Sequence, residues 1–236
     1  FEEIAAQLLN ELNRQHLTYG QDLFLERYCK ALMGEKNMDL VEEVVTLEWE
    51  QFDKVKNEGG RADCQDDWNT FSVMRKSQYL EWEESLLVSY RNDLLTAKQK
   101  GWNLIMEKYA RMMKSTTPEK YKELEQELPV LKDERIAIQE EIIKIQVNWM
   151  EEFAKKYPKM AGNARSIRTS EDSAFNTSYE TYLRGEISTY SEETFILYSK
   201  FIVSLLQNNR NLAFEIMENT AKLYGYHSLA DAERRI

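Results

Sequence analysis

Residues 133–158 read DERIAIQEEIIKIQVNWMEEFAKKYP, and this stretch predicts a long α-helix. Asp133 begins it and Pro158 ends it, because proline cannot continue a helix. Its apolar side chains recur at the three- and four-residue spacing that gathers them on one helical face. They are Ile136, Ile142, Ile143, Ile145, Met150 and Phe153. Such a stretch is typical of an amphipathic helix packed against other helices.

The remaining sequence has the same helical character. Its 236 residues include only eight glycines and three prolines, too few turn-forming residues for a sheet protein. Strong helix formers dominate, among them Leu, Glu, Lys, Gln, Ala and Met. We therefore predict an all-α fold, a multi-helix bundle.

The order of the helical segments repeats. A long helix, a polar loop and three further helices occupy about residues 41–113, and the same order recurs at about 139–224. Aligning Asn103 with Asn211 gives a shift of 211 − 103 = 108 residues. The same shift matches Phe71 with Tyr179, Trp82 with Tyr190, Glu84 with Glu192 and Tyr90 with Tyr198, without a gap. A shorter shift upstream matches Val44-Val45 with Ile142-Ile143.

This repetition predicts the domain organisation. Residues 39–236 are expected to form one internally duplicated domain built from two copies of a four-helix unit. Residues 1–38 are expected to form an N-terminal helical pair packed on that domain.

Charge and hydropathy argue against two classes of partner. The chain has 31 basic and 41 acidic residues, and a net charge of −10 repels a nucleic-acid backbone. No apolar run approaches the roughly 20 residues that a membrane-spanning helix needs. Cys29 and Cys64 are too few for a disulfide framework and suit a reducing cytoplasm. We expect a soluble cytoplasmic protein, and the sequence does not indicate its oligomeric state.

Short motifs from about residue 41 onward carry a family resemblance. They are Glu48-Trp49, Asn57-Glu58-Gly59-Gly60-Arg61-Ala62, Cys64-Gln65-Asp66-Asp67-Trp68, Met74-Arg75-Lys76-Ser77-Gln78, Lys108-Tyr109-Ala110-Arg111-Met112-Met113, Thr181-Tyr182-Leu183-Arg184-Gly185-Glu186 and Ser188-Thr189-Tyr190-Ser191. In these motifs the chain resembles the bacterial domain-of-unknown-function family catalogued as number 4125. The resemblance implies a domain assignment and carries no activity with it.

The familiar catalytic and cofactor signatures are missing from the sequence. It contains no glycine-rich phosphate loop, nucleophile elbow, His-Glu-x-x-His or Cys-x-x-Cys pattern. His16 and His227 lie near opposite ends of the chain, which does not favour a histidine-based site. We predict no cofactor and no metal site. An all-carboxylate site for Mg²⁺ or Mn²⁺ is the weaker alternative, against ordinary capping and ion-pair roles. Its ligands would be Glu48, Asp66, Asp67 and Asp172.

Four polar residues interrupt apolar stripes. Glu48 lies four residues from both Val44 and Phe52, so it falls on the apolar face of its helix. By the same spacing Gln146, Gln78 and Glu186 are placed on apolar faces. Because a buried carboxylate must be paired or hydrogen-bonded, we expect Glu48 to contact Gln78 and Gln146 to contact Glu186. A structural acid–amide bond and a ligand-facing cleft both remain open.

Arginines near the two polar loops supply candidate counter-charges. Arg61 and Arg165 end the loops, and Arg75, Arg168 and Arg184 are further candidates. Two such loops related by a pseudo-twofold axis would form a pocket for an anion or carboxylate. Exposed arginine on a loop is the alternative interpretation.

These observations support two functional hypotheses. The favoured one is a binding module for a small acidic ligand or a protein partner. The alternative is an enzyme that uses Glu48 or Glu186, with a raised pKa, for acid/base chemistry beside arginine clamps. The candidate ligand-binding residues are Glu48, Arg61, Asp66, Asp67, Arg75, Gln78, Gln146, Arg165, Arg168, Asp172, Arg184 and Glu186. The sequence identifies no catalytic residue.

Overall fold

The computed structural model describes residues 37–56 and 60–236. In this part of the chain there are eleven α-helices and no β-strand, which confirms the predicted all-α class. The helices are α1 (37–52), α2 (Trp68–Tyr79), α3 (Glu84–Gln99), α4 (Leu104–Thr116), α5 (Pro118–Leu124), α6 (Asp133–Lys156), α7 (Pro158–Gly162), α8 (Tyr179–Ser188), α9 (Glu192–Gln207), α10 (Leu212–Leu223) and α11 (Leu229–Arg235). None of the described helices is long and apolar enough to cross a membrane.

Side-chain caps fix where several helices begin. The Asp67 carboxylate accepts a hydrogen bond from the Thr70 amide at the start of α2, and Asn103 accepts one from the Met106 amide at the start of α4. Gly101, which follows the end of α3, has a positive φ of 68° that favours glycine. In the sequence, glycine predicts a helix end at Gly101, and asparagine and proline predict helix starts at Asn103 and Pro118. The structure has helix boundaries at all three places.

Two boundaries differ from the sequence prediction. The apolar residues from Val41 to Val55, followed by Gly59-Gly60, predict a helix that continues through Val55, but α1 ends at residue 52. The Gln65 amide donates to the backbone carbonyls of Phe52 and Val55 at 2.9 and 3.0 Å. The expected polar loop after Pro158 contains the short helix α7, because proline is favoured at the first position of a helix. The predicted N-terminal pair lies outside the described residues, except that 37–38 begin α1.

The helices pack reciprocally across the two halves. Helix α4 of the first half packs on α8 of the second, and α10 of the second packs on α2 of the first. Helices α3 and α9 pack on each other, while α6 contacts both α8 and α10. This arrangement brings elements of both halves around one interior.

Aromatic rings fill the centre of that interior. Trp82 lies 6.1 Å from Tyr190, Tyr90 lies 5.3 Å from Tyr190, and Trp82 lies 5.5 Å from Tyr198, measured between ring centroids. All four side chains are buried and belong to the main apolar core. Trp82 aligns with Tyr190, and Tyr90 aligns with Tyr198. The contact between Tyr90 and Tyr190 therefore corresponds to the contact between Tyr198 and Trp82, although the duplication itself remains a prediction.

Candidate functional site

A buried ion cluster lies beside the aromatic core. Arg75 of α2 donates from Nε to Glu48 Oε2 at 2.7 Å and from Nη2 to Glu48 Oε1 at 2.8 Å. The same guanidinium donates to both carboxylate oxygens of Glu186, at 3.0 and 3.1 Å. One arginine on α2 therefore joins a carboxylate of α1 to a carboxylate of α8, and so connects the two halves.

Neutral groups complete the hydrogen bonding of the two acids. The hydroxyls of Tyr79 and Tyr90 each donate to Glu48 Oε1 at 2.7 Å, and the Gln78 amide donates to Glu186 Oε1 at 3.0 Å. Arg75 also donates to the Tyr79 hydroxyl. Each of the two buried carboxylates therefore accepts hydrogen bonds at both of its oxygens.

Lys108 of α4 adds a second cation to the cluster. Its ammonium donates to the Tyr182 hydroxyl at 2.8 Å and to Glu186 Oε2 at 3.3 Å. The Nζ atom also lies 4.2 Å from the centroid of the Tyr182 ring. The side chain is 4% exposed, so its charge lies almost wholly in the interior.

A pocket of about 640 Å³ opens above this cluster. Both halves line it, and the polar floor includes Glu48, Arg75, Gln78, Lys108, Gln146 and Glu186. Aromatic and thioether side chains dominate the walls, among them Phe52, Phe71, Met74, Tyr109, Met150 and Met217. An apolar cavity with a few convergent polar groups is the usual form of a small-molecule site.

Arg165 lies on the pocket wall and is exposed to solvent. Its guanidinium lies 4.9 Å from the centroid of the Tyr182 ring, and it donates to the Thr177 carbonyl at 3.3 Å. No carboxylate of the described residues forms an ion pair with it. Tyr182 thus contacts two cations, one from the buried floor and one from the loop before α8.

The pKa values of the cluster follow from burial and these contacts. Burial alone would raise the pKa of Glu186, but Arg75 and Lys108 lower it to about 2. Burial alone would lower the pKa of Lys108, but Tyr182 and Glu186 raise it above its ordinary value. Burial raises the pKa of Tyr109 to about 12 despite the nearby ammonium. At neutral pH the floor therefore contains an ionised Glu186 and a protonated Lys108.

A model of one protein family matches residues 38–234 of the chain. Its description is a protein of unknown function, DUF4125. The chain belongs to this family. Searches of curated proteins and of solved structures give no match. Membership confirms the expected family and assigns no chemistry, so the site of this DUF4125 protein must be interpreted from its geometry.

The structure divides the candidate residues of this DUF4125 protein into two groups. Seven of them line the pocket: Glu48, Asp67, Arg75, Gln78, Gln146, Arg165 and Glu186. The other five do not appear in its wall: Arg61, Asp66, Arg168, Asp172 and Arg184. All four polar residues that interrupt an apolar stripe are thus brought together, whereas most of the loop residues are not.

The residues outside the pocket have structural partners. Arg61 pairs with Asp53 at 2.6 Å and with Asp66 at 2.8 Å, so the expectation that both arginine loops reach one pocket is wrong for Arg61. Asp172 accepts from the Ser178 amide at 2.7 Å, and Ser178 caps α8.

Two further arginines pair on the surface. Arg168 pairs with Glu151 at 2.7 Å. Arg184 forms a bidentate pair with Glu140 at 2.8 and 2.9 Å, and it also contacts Glu180. Both guanidiniums are therefore engaged away from the pocket.

The expected acid–amide pairing is wrong in its partners. Glu48 is bound by Arg75, and Gln146 accepts from the Tyr198 hydroxyl at 2.7 Å. The acid–amide bond that does form joins Gln78 to Glu186 across the two halves. The reason is that Arg75 lies on the buried face of α2 and reaches both carboxylates, which the spacing of polar residues cannot show.

Lys108 and Tyr182 were not among the candidate residues. Lys108 lies four residues after Leu104 and four before Met112, both buried, so it interrupts an apolar stripe as Glu48 does. The spacing that selected the acids and amides would have selected this lysine too. Tyr182 has no comparable signal, because a tyrosine fits an apolar face without contradiction.

The four carboxylates of the alternative metal site are not brought together into one cluster of described residues. Among residues 37–56 and 60–236, no group of three or more His, Cys, Asp or Glu side chains could hold a metal ion. The alternative set is dispersed, since Asp66 pairs with Arg61, Asp67 caps α2 and Asp172 binds the start of α8.

Proposed function

We propose that this DUF4125 protein is a binding module for a small acidic ligand with a largely apolar body. The observation that carries the proposal is the pair of cations around Tyr182 at the wall of an apolar pocket. A carboxylate beside Lys108 and Arg165 would meet positive charge, while the rest of the ligand would meet aromatic and thioether side chains.

Lys108 and Arg165 differ from Arg75 in the hydrogen-bond donors that they can offer to a ligand. The Arg75 guanidinium donates to Glu48, Glu186, Gln78 and Tyr79, so its hydrogen-bonding capacity is used within the protein. Lys108 has hydrogen bonds to Tyr182 and Glu186, which leaves a donor for a ligand. Within residues 37–56 and 60–236, Arg165 donates to one backbone carbonyl, so further donors of its guanidinium are available to a ligand.

The pocket favours a small molecule over a protein partner, because it is a cavity lined in part by buried side chains rather than an exposed apolar patch. The enzyme alternative has less support at one of its two candidate carboxyl groups. It required a raised pKa there, and the pKa of Glu186 is lowered to about 2. Within this proposal, the two cysteines of the sequence suit action in the cytoplasm.

The test compares acids with amines of the same carbon skeleton. Decanoate and 3-phenylpropionate, with decylamine and 3-phenylpropylamine as controls, are titrated calorimetrically and by thermal shift. We expect saturable binding and a raised Tm for an acid and neither for its amine. Comparable binding of the amines, or no binding by either acid, contradicts the proposal.

Variants locate the binding to the two cations. Lys108→Met should weaken acid binding about tenfold or more, because a buried charge-assisted hydrogen bond is lost. Arg165→Gln should weaken it about fivefold, since this cation is exposed to solvent. Arg168→Gln is the matched control, because this arginine lies on the same loop but pairs with Glu151. Acid binding that is unaffected at both Lys108 and Arg165 places the ligand elsewhere.

A further inference from the structure

The pocket has two chemically different ends. Under the shift of 108 residues, Lys108 aligns with Ile216, Tyr109 with Met217 and Arg75 with Leu183, and all six residues line the pocket. At these three positions the polar or charged side chain of the first half is matched by an aliphatic or thioether side chain of the second. The floor differs, because Gln78 and its aligned residue Glu186 are both polar. The asymmetry in chemistry therefore lies at the three positions 108/216, 109/217 and 75/183.

The packing of the helices separates the two ends. Lys108 and Tyr109 lie on α4, which packs on α8, and Lys108 bonds to Tyr182 and Glu186 there. Ile216 and Met217 lie on α10, which packs on α2 and α6 instead. The cations of the wall therefore lie toward one end, where α4 meets α8.

The opposite end is apolar and adaptable. Ile216 and Met217 of α10 line the pocket together with Met74 of α2 and Met150 of α6. Methionine is unbranched and flexible, so a wall of thioethers adjusts to a flexible chain better than to one rigid outline. This end has the chemistry that a hydrocarbon chain would contact.

We propose that the pocket binds an unbranched aliphatic monocarboxylate in a single orientation. Its carboxylate lies at Lys108 and Arg165, and its hydrocarbon chain extends toward Ile216 and Met217. This inference rests on the proposed binding of acids and adds the class of ligand and its direction in the pocket.

The experiment measures affinity along a series of saturated acids from hexanoate to tetradecanoate, with benzoate and 3-phenylpropionate as compact acids. Each added methylene should tighten binding about threefold until the apolar end is filled, after which the gain should stop. The compact acids should bind more weakly than the best aliphatic acid. A flat series, or compact acids that bind as tightly, overturns the orientation and leaves the binding of acids intact.

Two matched variants test the direction. Met217→Trp fills the apolar end, so it should move the plateau to shorter acids and weaken the binding of tetradecanoate far more than that of hexanoate. Tyr109 is aligned with Met217 but lies at the cationic end. Tyr109→Trp should therefore change the affinity for acids of every chain length by a similar factor. If Met217→Trp weakens every acid equally, the chain does not extend toward α10. The series on the unmodified protein keeps the test decisive if either variant does not fold, and failure of every acid to bind overturns both proposals.

Discussion

Arg75 and Glu48 form a bidentate ion pair inside the protein, with donor–acceptor distances of 2.7 and 2.8 Å. The Glu48 side chain is fully buried and Arg75 is 7% exposed, so neither charge is solvated. Burial by itself would lower the pKa of Arg75, but Glu186 and Glu48 raise it well above its ordinary value. The pair is part of a network in which removal of one member strands the others.

The first prediction follows from that network. Arg75→Met should destabilise the protein by about 3 to 5 kcal/mol, because two buried carboxylates lose their shared cation. Urea denaturation followed by circular dichroism measures the change in unfolding free energy. Arg61→Met is the control, since its ion pairs are about half exposed and should contribute little to stability. Equal effects of the two substitutions would show that Arg75 is not a central member of the cluster.

The second prediction concerns acid stability. The pKa of Glu186 falls from an ordinary 4.5 to about 2 in the folded protein, a difference that corresponds to on the order of 3 kcal/mol. Because the folded pKa is the lower one, the ionised carboxylate stabilises the fold above about pH 4.5. This contribution should be lost as the pH falls from about 4.5 toward 2.

The measurement is the unfolding free energy of the protein and of Glu186→Gln between pH 7 and pH 2. The variant should be less stable at neutral pH and should lose less stability across the acid range. Glu119→Gln is the control, because its carboxylate is 84% exposed in a surface ion pair. Parallel pH profiles for the protein and Glu186→Gln would be inconsistent with a depressed pKa at this position.

Much of the fold follows from local sequence signals. The long apolar stripe before Pro158, the caps at Asn103 and Asn211 and the proline at 118 mark helices that the structure contains. These signals can be recognised in the sequence because each acts within a few residues along the chain. The early end of α1 was missed, since the bonds of Gln65 to the carbonyls of Phe52 and Val55 come from a residue beyond the helix.

The burial of the polar residues in the candidate site could be predicted from the sequence, but their pairing could not. Periodicity placed Glu48 and Glu186 on buried faces, and both are buried in the structure. Which residue of α2 pairs with these two carboxylates depends on the direction in which each side chain of that helix points. Met74 is 47% exposed, so the stripe that selected Gln78 was not the buried face, which instead contains Arg75 and Tyr79. Periodicity defines a face to within a residue, and a hydrogen bond needs finer placement.

The third prediction concerns the contact of α4 with α8 beneath Lys108. A Cβ atom added at Gly185 would lie 2.9 Å from the Lys108 carbonyl oxygen and 2.9 Å from Met112 Cγ. Gly185→Ala should therefore push the helices apart and destabilise the protein by about 1 to 3 kcal/mol. In the acid-binding assay it should also weaken binding, because the Lys108 ammonium shifts relative to Tyr182.

Gly162→Ala is the matched control for this substitution. A Cβ atom at Gly162 would have no neighbour within 4 Å, and the residue lies in the short helix α7. The control should be neutral or slightly stabilising, since alanine restricts the unfolded chain more than glycine does. The measurement is the Tm of each variant in thermal denaturation. A Gly185→Ala protein as stable as the control would mean that α4 and α8 adjust without cost.

The fourth prediction is that residues 41–113 and 139–224 superpose as two copies of one unit. Asn103 and Asn211 motivate it, because each begins its helix with a φ of −121°. Each also donates to a carbonyl of the preceding long helix, to Gln51 at 2.8 Å and to Trp149 at 3.4 Å. Separate asparagines have no reason to share both contacts unless the surrounding helices are arranged alike.

A crystal structure should therefore place α1, α2, α3 and α4 on α6, α8, α9 and α10 in the same order and direction. The two asparagines should also contribute similar amounts to the free energy of unfolding. Asn103→Ala and Asn211→Ala each remove a helix cap and an interhelical bond, so each should cost about 1 to 2 kcal/mol of unfolding free energy. Helices that superpose only in a different order or direction would refute the duplication. If the two substitutions cost similar unfolding free energy but the helices do not superpose, the two segments are alike only in their helix caps.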